Sequence, residues 1–229
     1  MNGYKKLGLD PAQMKYLIIT HGHTDHFGGS KMLQDTYHPK VLMSGIDWDM
    51  IAKLPPDPSG KFGPPPTRDM DITDGQKLTL GDTTITFYIT PGHTPGTVSM
   101  LIPVTDHGQP HLLSFWGGSA IPRDFTPTGT TGRMDAGMLA YKESFSRFFK
   151  LGEDAGVDGY IANHPYRDLT FVDGKNDRIA KNAARKPVDP SAFVDRETYI
   201  RYMSIAMECI DAQEGWLRAG KPAVPHPGQ

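Results

Sequence analysis

The feature that most constrains this chain is the run Tyr16-Leu17-Ile18-Ile19-Thr20, which leads straight into His21-Gly22-His23-Thr24-Asp25-His26. An apolar run of strand length that ends in a glycine-containing polar loop puts the loop at the carboxyl edge of a sheet. That edge is where α/β folds gather their ligands. Three imidazoles and a carboxylate within six positions are donor types that suit zinc. His21 and His23, two apart at a strand end, can turn to one side and grip one ion. Asp25 and His26, carried on the following turn, can reach a second. The competing reading is a histidine-rich surface loop with no ligand.

Two further histidines occupy the same kind of position. His93, in Thr90-Pro91-Gly92-His93-Thr94-Pro95-Gly96, follows the apolar run 85–89. His164, in Ala162-Asn163-His164-Pro165, follows the apolar run 159–162. Alone, each would read as an ordinary loop histidine; beside the first motif, both read as ligands. Periodicity predicts strands at 15–20, 40–44, 78–80, 85–89, 98–104, 111–116 and 159–162. Gly81-Asp82 marks a hairpin turn between the third and fourth of these. Helices are predicted at 30–37, 47–54, 138–151, about 173–185 and 196–218. Residues 55–66 hold six prolines and two glycines, which excludes regular structure and leaves a binding loop or a solvated connector. The tail beyond 220 reads as disordered.

The 229 residues suffice for one sizeable core. With 38% hydrophobic and 22% charged residues and a net charge of −2, nothing points to nucleic acid or an anionic membrane as partner. No apolar run is long enough to span a bilayer. No signal peptide is visible, and the compartment stays open. Cys209, the single cysteine, cannot form an internal disulfide. With no basic residue beside it in sequence, it reads as a buried structural thiol.

The motif His21-x-His23-x-Asp25-His26, with His93 and His164 downstream, resembles the metallo-β-lactamase superfamily of αββα metallohydrolases over about residues 7–170. The resemblance implies an α/β fold, the αββα sandwich, with two Zn2+ ions as cofactors. It implies that His21, His23 and His93 hold one zinc, and that Asp25, His26 and His164 hold the other. His38, His107, His111 and His226 match no ligand motif and read as structural or surface residues. The position that sorts the superfamily is Ser119, where most branches carry a bridging aspartate and one β-lactamase subclass a cysteine. A neutral hydroxyl is a poor zinc ligand. The pattern is therefore similar to the third subclass of class B β-lactamases and its uncharacterised relatives, with Ser119 expected as a substrate-binding residue that hydrogen-bonds near the second ion. The alternative for Ser119 is a small residue filling a turn. Ile121 departs from that subclass, which uses a serine there to hold the substrate carboxylate. Arg123 is either a substitute anion anchor or a solvent-facing arginine.

The resemblance implies a dinuclear zinc hydrolase that opens a β-lactam or similar cyclic amide with a metal-activated hydroxide. Asp25 would be both ligand and catalytic residue, and the partner would be a small-molecule substrate. The alternatives are a lactone or ester hydrolase of the same fold, or a non-catalytic metal-binding fragment that needs a partner chain. An iron-dependent redox member would want a carboxylate at position 119. Residues 1–229 read as a single domain of this type with a helical extension at about 173–218. Only 20 residues precede His21, so most of the first βα half is expected to be absent. The chain would then be a fragment or an internal start, would be completed by a homodimer partner, or would stand alone as a monomer. Such a truncation should uncover one apolar sheet face and leave an unpaired strand edge. Relatives in the family are often periplasmic or secreted.

Overall fold

The strand β2, Lys40–Ser44, organises the first half of the molecule because Val41-Leu42-Met43 is a continuous apolar run with both faces buried. Continuous rather than alternating apolarity is the mark of a parallel strand covered on two sides. In this computed structural model, which describes residues 2–122, 137–164 and 178–220, β2 is the centre of a three-stranded parallel sheet. Its neighbours are β1 (Tyr16–Ile18) and β3 (Met70–Ile72). Side chains two apart share a face. Val41 and Met43 therefore pack outward with Ile19, Phe27, Trp48 and Ile51. These come from just past the end of β1 and from two helices, α2 (Thr24–Phe27) and α4 (Gly45–Ile51), between which α3 (Ser30–Tyr37) runs in the chain. Leu42 points the other way, onto Ile72, Phe87, Val98 and Met100.

Phe87, Val98 and Met100 belong to a second sheet of five strands, in the order β4 to β8. β4 (Lys77–Leu80) and β5 (Thr83–Ile89) form the expected hairpin, with Gly81 at φ +63° in its turn. β6 (Val98–Asp106) and β7 (Gln109–Trp116) form a second hairpin, and β8 (Gly159–Ala162) joins β7 in parallel. The outer face of this sheet is covered by α5 (Gly137–Asp154) and α7 (Arg196–Arg218). Met138, Tyr141, Phe145 and Phe148 recur at helical spacing along α5 and enclose Trp116 of β7. The Trp116 ring lies 5.0 to 5.7 Å from the Tyr141, Phe145 and Phe148 rings. Each such buried aromatic contributes about 1.5–3 kcal/mol through burial. Asp195 caps α7 by accepting from the Thr198 N–H at 3.0 Å. The layers thus run helix, sheet, sheet, helix, as the α/β αββα reading requires.

Several expectations need correction. β3 was not foreseen: three residues with an aspartate in the middle carry no readable period. A 3₁₀ turn at Pro11–Gln13 and the four-residue α2 are likewise shorter than any periodic signal, whereas the helix α1 (Asn2–Lys6) agrees with the reading of residues 2–11 as the end of a helix and its following turn. α4 begins at Gly45 rather than at 47, because Ser44 supplies the N-cap. Cys209 is exposed, not a buried thiol. The buried face of α7 runs through Tyr199, Met203 and Ile210, and six residues at about 100° each turn Cys209 away from Met203. The three-stranded sheet also has apolar neighbours on both faces rather than one face bare. One edge of β1 has no strand partner among the described residues. α6 (Arg178–Ala184) falls within the predicted helix at 173–185. The start of that helix, Arg123, His226 and the tail beyond 220 lie outside the described residues. None of the described helices is long and apolar enough to cross a membrane.

Candidate metal centre

The loops that follow β1, β5, β7 and β8 all open on one edge of the sandwich. β1 ends at Ile18, and the Val98 N–H donates to the Thr20 carbonyl (2.8 Å), tying the two sheets together just before His21. His23 stands in extended conformation as the N-cap of α2, which carries Asp25 in its first turn and His26 in its last. His93 lies in the turn between β5 and β6. The parallel register of β7 and β8 sets Trp116 opposite Ala162. Residues 117–120 therefore run beside Asn163 and His164.

All six residues expected from the sequence as ligands meet there, in two groups. His21, His23 and His93 form one, and Asp25, His26 and His164 the other. Within each group the ligand atoms lie within 4.8 Å of one another. In the first group the three imidazole centroids are 4.5, 4.7 and 4.8 Å apart and nearly perpendicular in pairs. In the second, His26 Nε2 lies 3.1 Å from His164 Nε2, and these nitrogens lie 3.4 and 3.6 Å from Asp25 Oδ2. Ligands bonded tetrahedrally to zinc at about 2.0–2.1 Å are separated by roughly 3.3 Å. The triangle has that size. The groups adjoin through His21 and His26, whose ring centroids are 4.0 Å apart.

The protonation chemistry suits cation ligands. Burial, reinforced by the neighbouring imidazoles, holds His21 well below the ordinary histidine value. Burial also lowers His23, and takes His93 to about 3 and His26 to about 4. Neutral imidazole is the form that binds metal. His93 Nδ1 lies 3.1 Å from the Ala120 carbonyl, which can only accept, so the proton belongs on Nδ1 and the lone pair on Nε2. His21 is fully buried, and its Nε2 has no hydrogen-bond partner among the described residues. Such an orphan costs roughly 1–3 kcal/mol, and a metal bond is the natural way to satisfy it. The residues present therefore fit a metal.

Ser119 lies beside the second group. Its hydroxyl donates to Asn163 Oδ1 (2.6 Å), and Asn163 Nδ2 donates to the Gly117 carbonyl (2.7 Å). Ile121 turns into the aromatic cluster of Trp116 and α5. His38 is exposed at the end of α3, His107 reaches the Asp189 carbonyl, and His111 pairs with Asp158. None of these three joins either group. Sequence reasoning missed Asp47, Thr94 and Asn163. Nothing in a helix-initial aspartate or a loop threonine announces that it faces inward.

Two imidazole-rich groups at one edge of an αββα sandwich define a class of fold with a metal-binding type of site. Residues 2–107 match the family model of the metallo-β-lactamase superfamily, which is the family this chain resembles. In structure it is similar to BJP-1, a subclass B3 metallo-β-lactamase of Bradyrhizobium japonicum. The TM-score is 0.74 over 96% of this chain and 79% of that one, at 23% identity, a likeness that speaks for the fold. In sequence it is 29% identical over 168 residues to the N-acyl homoserine lactonase AttM of Rhizobium radiobacter, covering 66% of this chain and 62% of that protein. It is 29% identical over 203 residues to the human mitochondrial persulfide dioxygenase ETHE1, covering 87% and 63%. The chain spans about half the length of the curated relatives it matches.

Proposed function

We propose that this chain is a zinc-dependent hydrolase that opens a cyclic amide of the β-lactam type. The observation that carries the reading is the pair of adjoining three-ligand groups, one triad of imidazoles and one of two imidazoles and a carboxylate. His21, His23 and His93 would hold one ion, and Asp25, His26 and His164 the other. When bound, a zinc pair supplies Lewis acidity and lowers the pKa of a bound water toward roughly 7. Asp25, exposed at the mouth of the site, is the carboxylate available to accept a proton from the attacking water and to orient it. The imidazoles stay neutral at working pH because burial disfavours their charged forms. Ser119, bonded to Asn163 next to His164, keeps an oxygen lone pair for a substrate polar group.

A lactone or other ester is the second reading, and Ile121 favours it. That side chain packs into the aromatic cluster and brings no hydroxyl to a substrate carboxylate. The likeness to a lactonase supports the same reading. Ser119 in place of a carboxylate weighs against an iron redox centre. Elemental analysis of the purified protein separates zinc from iron. Turnover of a chromogenic cephalosporin, an acyl homoserine lactone and an aryl ester, each with a chelator control, then ranks the hydrolase readings. Stoichiometric zinc with chelator-sensitive cephalosporin cleavage is expected. Stoichiometric metal with no turnover of any of the three would leave a binding protein and sink the enzyme reading.

A further inference from the structure

Asp47 lies in the first turn of α4 and is fully buried. Ser44 caps the helix, its hydroxyl accepting from the Asp47 N–H at 3.2 Å. In a capping box an acidic residue at this third helical position would turn back to the N–H of the cap. Here both carboxylate oxygens are taken by donors from two other loops. The Gly22 N–H donates to Oδ2 at 2.7 Å, and Thr94 Oγ1 donates to the same oxygen at 2.6 Å. The Gly96 N–H donates to Oδ1 at 2.8 Å. Gly22 lies between His21 and His23; Thr94 follows His93 directly, and Gly96 closes the same turn. The two loops belong to different sheets, and their candidate ligands come from positions about 70 apart in sequence.

The approach is too close for side chains. A Cβ on Gly96 would overlap Ser44 Oγ and sit 2.6 Å from Asp47 Oδ1. One on Gly22 would overlap Met50 Cε and sit 2.7 Å from Ile51 Cγ2. Burying a carboxylate is unfavourable unless its lone pairs are filled, and desolvation does raise the Asp47 pKa while the three donors lower it. Apolar contact alone would cover this position with less penalty.

We infer that Asp47 is a positioning residue for the His21/His23/His93 triad, a buried carboxylate that staples the two ligand-bearing loops together and sets the distance between their imidazoles. This rests on the proposed reading of the triad as a metal site. The second group has no such tie to Asp47, so the effect of losing it should be selective. A fixed negative charge close to His23, which the mutual influence of the two groups records, would also favour a cation there.

The test is a cobalt(II) titration of the metal-free full chain, read by visible d–d absorption and by calorimetry, on wild type, Asp47→Asn and Thr94→Val. His26→Ala assigns which binding step belongs to which group. Asp47→Asn keeps the volume but offers one acceptor oxygen where two are used. It is expected to weaken the first-triad step about 10–100-fold, alter that step's absorption spectrum, and leave the other step within about twofold. Equal affinity and an unchanged spectrum would overturn the inference, as would parallel weakening of both steps, the mark of general destabilisation. If Asp47→Asn does not fold, Thr94→Val decides, since it removes one donor and leaves the carboxylate. A selective loss of about tenfold supports the staple, and no change refutes it. A wild-type chain that binds no cobalt would refute the metal reading instead, which keeps the two failures apart.

Discussion

The two candidate ligand groups share three-fold composition and a common border but differ in almost everything that supports them. The His21/His23/His93 triad lies deep in the site. His21 is fully buried, its partners are half-buried, and Asp47 ties its two loops through three hydrogen bonds. The Asp25/His26/His164 group opens toward solvent through an exposed carboxylate. It rides on a four-residue helix and on the end of β8. Its described support on the β8 side is the Ser119–Asn163 bond beside His164. A buried, hydrogen-bonded group and a more exposed one suit different tasks, the first holding a cation firmly and the second meeting water and substrate.

Substitutions should expose that asymmetry. His21→Ala is expected to reduce kcat/KM by about 10³-fold, equivalent to several kcal/mol of lost transition-state stabilisation, and to remove at least one equivalent of metal. Asp25→Ala should also remove most turnover yet leave the first triad loaded, so its metal content falls from two equivalents toward one. Loss of both equivalents from Asp25→Ala would erase the distinction between the groups.

Acid should act mainly through the buried imidazoles. In the metal-free protein the folded-state values, about 3 for His93 and about 4 for His26, lie below the unfolded value of 6.5. The unfolded chain therefore takes up protons first, and stability falls as pH drops from about 6.5 toward 4. Asp47, with its pKa raised in the folded state, opposes this only at and just above the ordinary carboxylate value, where the folded chain takes up its proton first. Urea midpoints of the metal-free protein should be lower at pH 5.5 than at pH 7.5, and bound metal should resist the drop until protons compete for the ligands. A midpoint that rises on acidification would contradict the buried neutral imidazoles. The smallest effect is expected for Ser119→Ala, which removes one hydrogen bond worth about 1 kcal/mol. Stability should fall slightly and metal content should hold. A large rise in KM with kcat preserved would identify Ser119 as a substrate contact rather than a support for Asn163.

Much of this was readable from the chain. The apolar runs at 40–44, 85–89 and 159–162 became β2, the core of β5, and β8. Proline and glycine at 55–66 kept regular structure out. The spacing of His21, His23, Asp25 and His26 needed only a strand end and one helical turn to place the donors. β3 was not readable because its three residues gain their hydrogen bonds from β2, not from any pattern of their own. Cys209 was misread because burial on α7 depends on which face meets α5 and β8.

Sequence by itself determined the donor set, since ligand chemistry is a property of residue type and the tight motif fixes its own local geometry. It also determined the strand-and-helix alternation that makes the sandwich, because apolar periodicity is local. Only the tertiary structure decided that His93 and His164 arrive beside residues 21–26 and that His21 is fully buried beside them. It alone turned a helix-initial aspartate inward to bind two loops at once. Those outcomes depend on strand register and close packing between segments far apart in sequence, where a shift of one residue reverses which side chains face in.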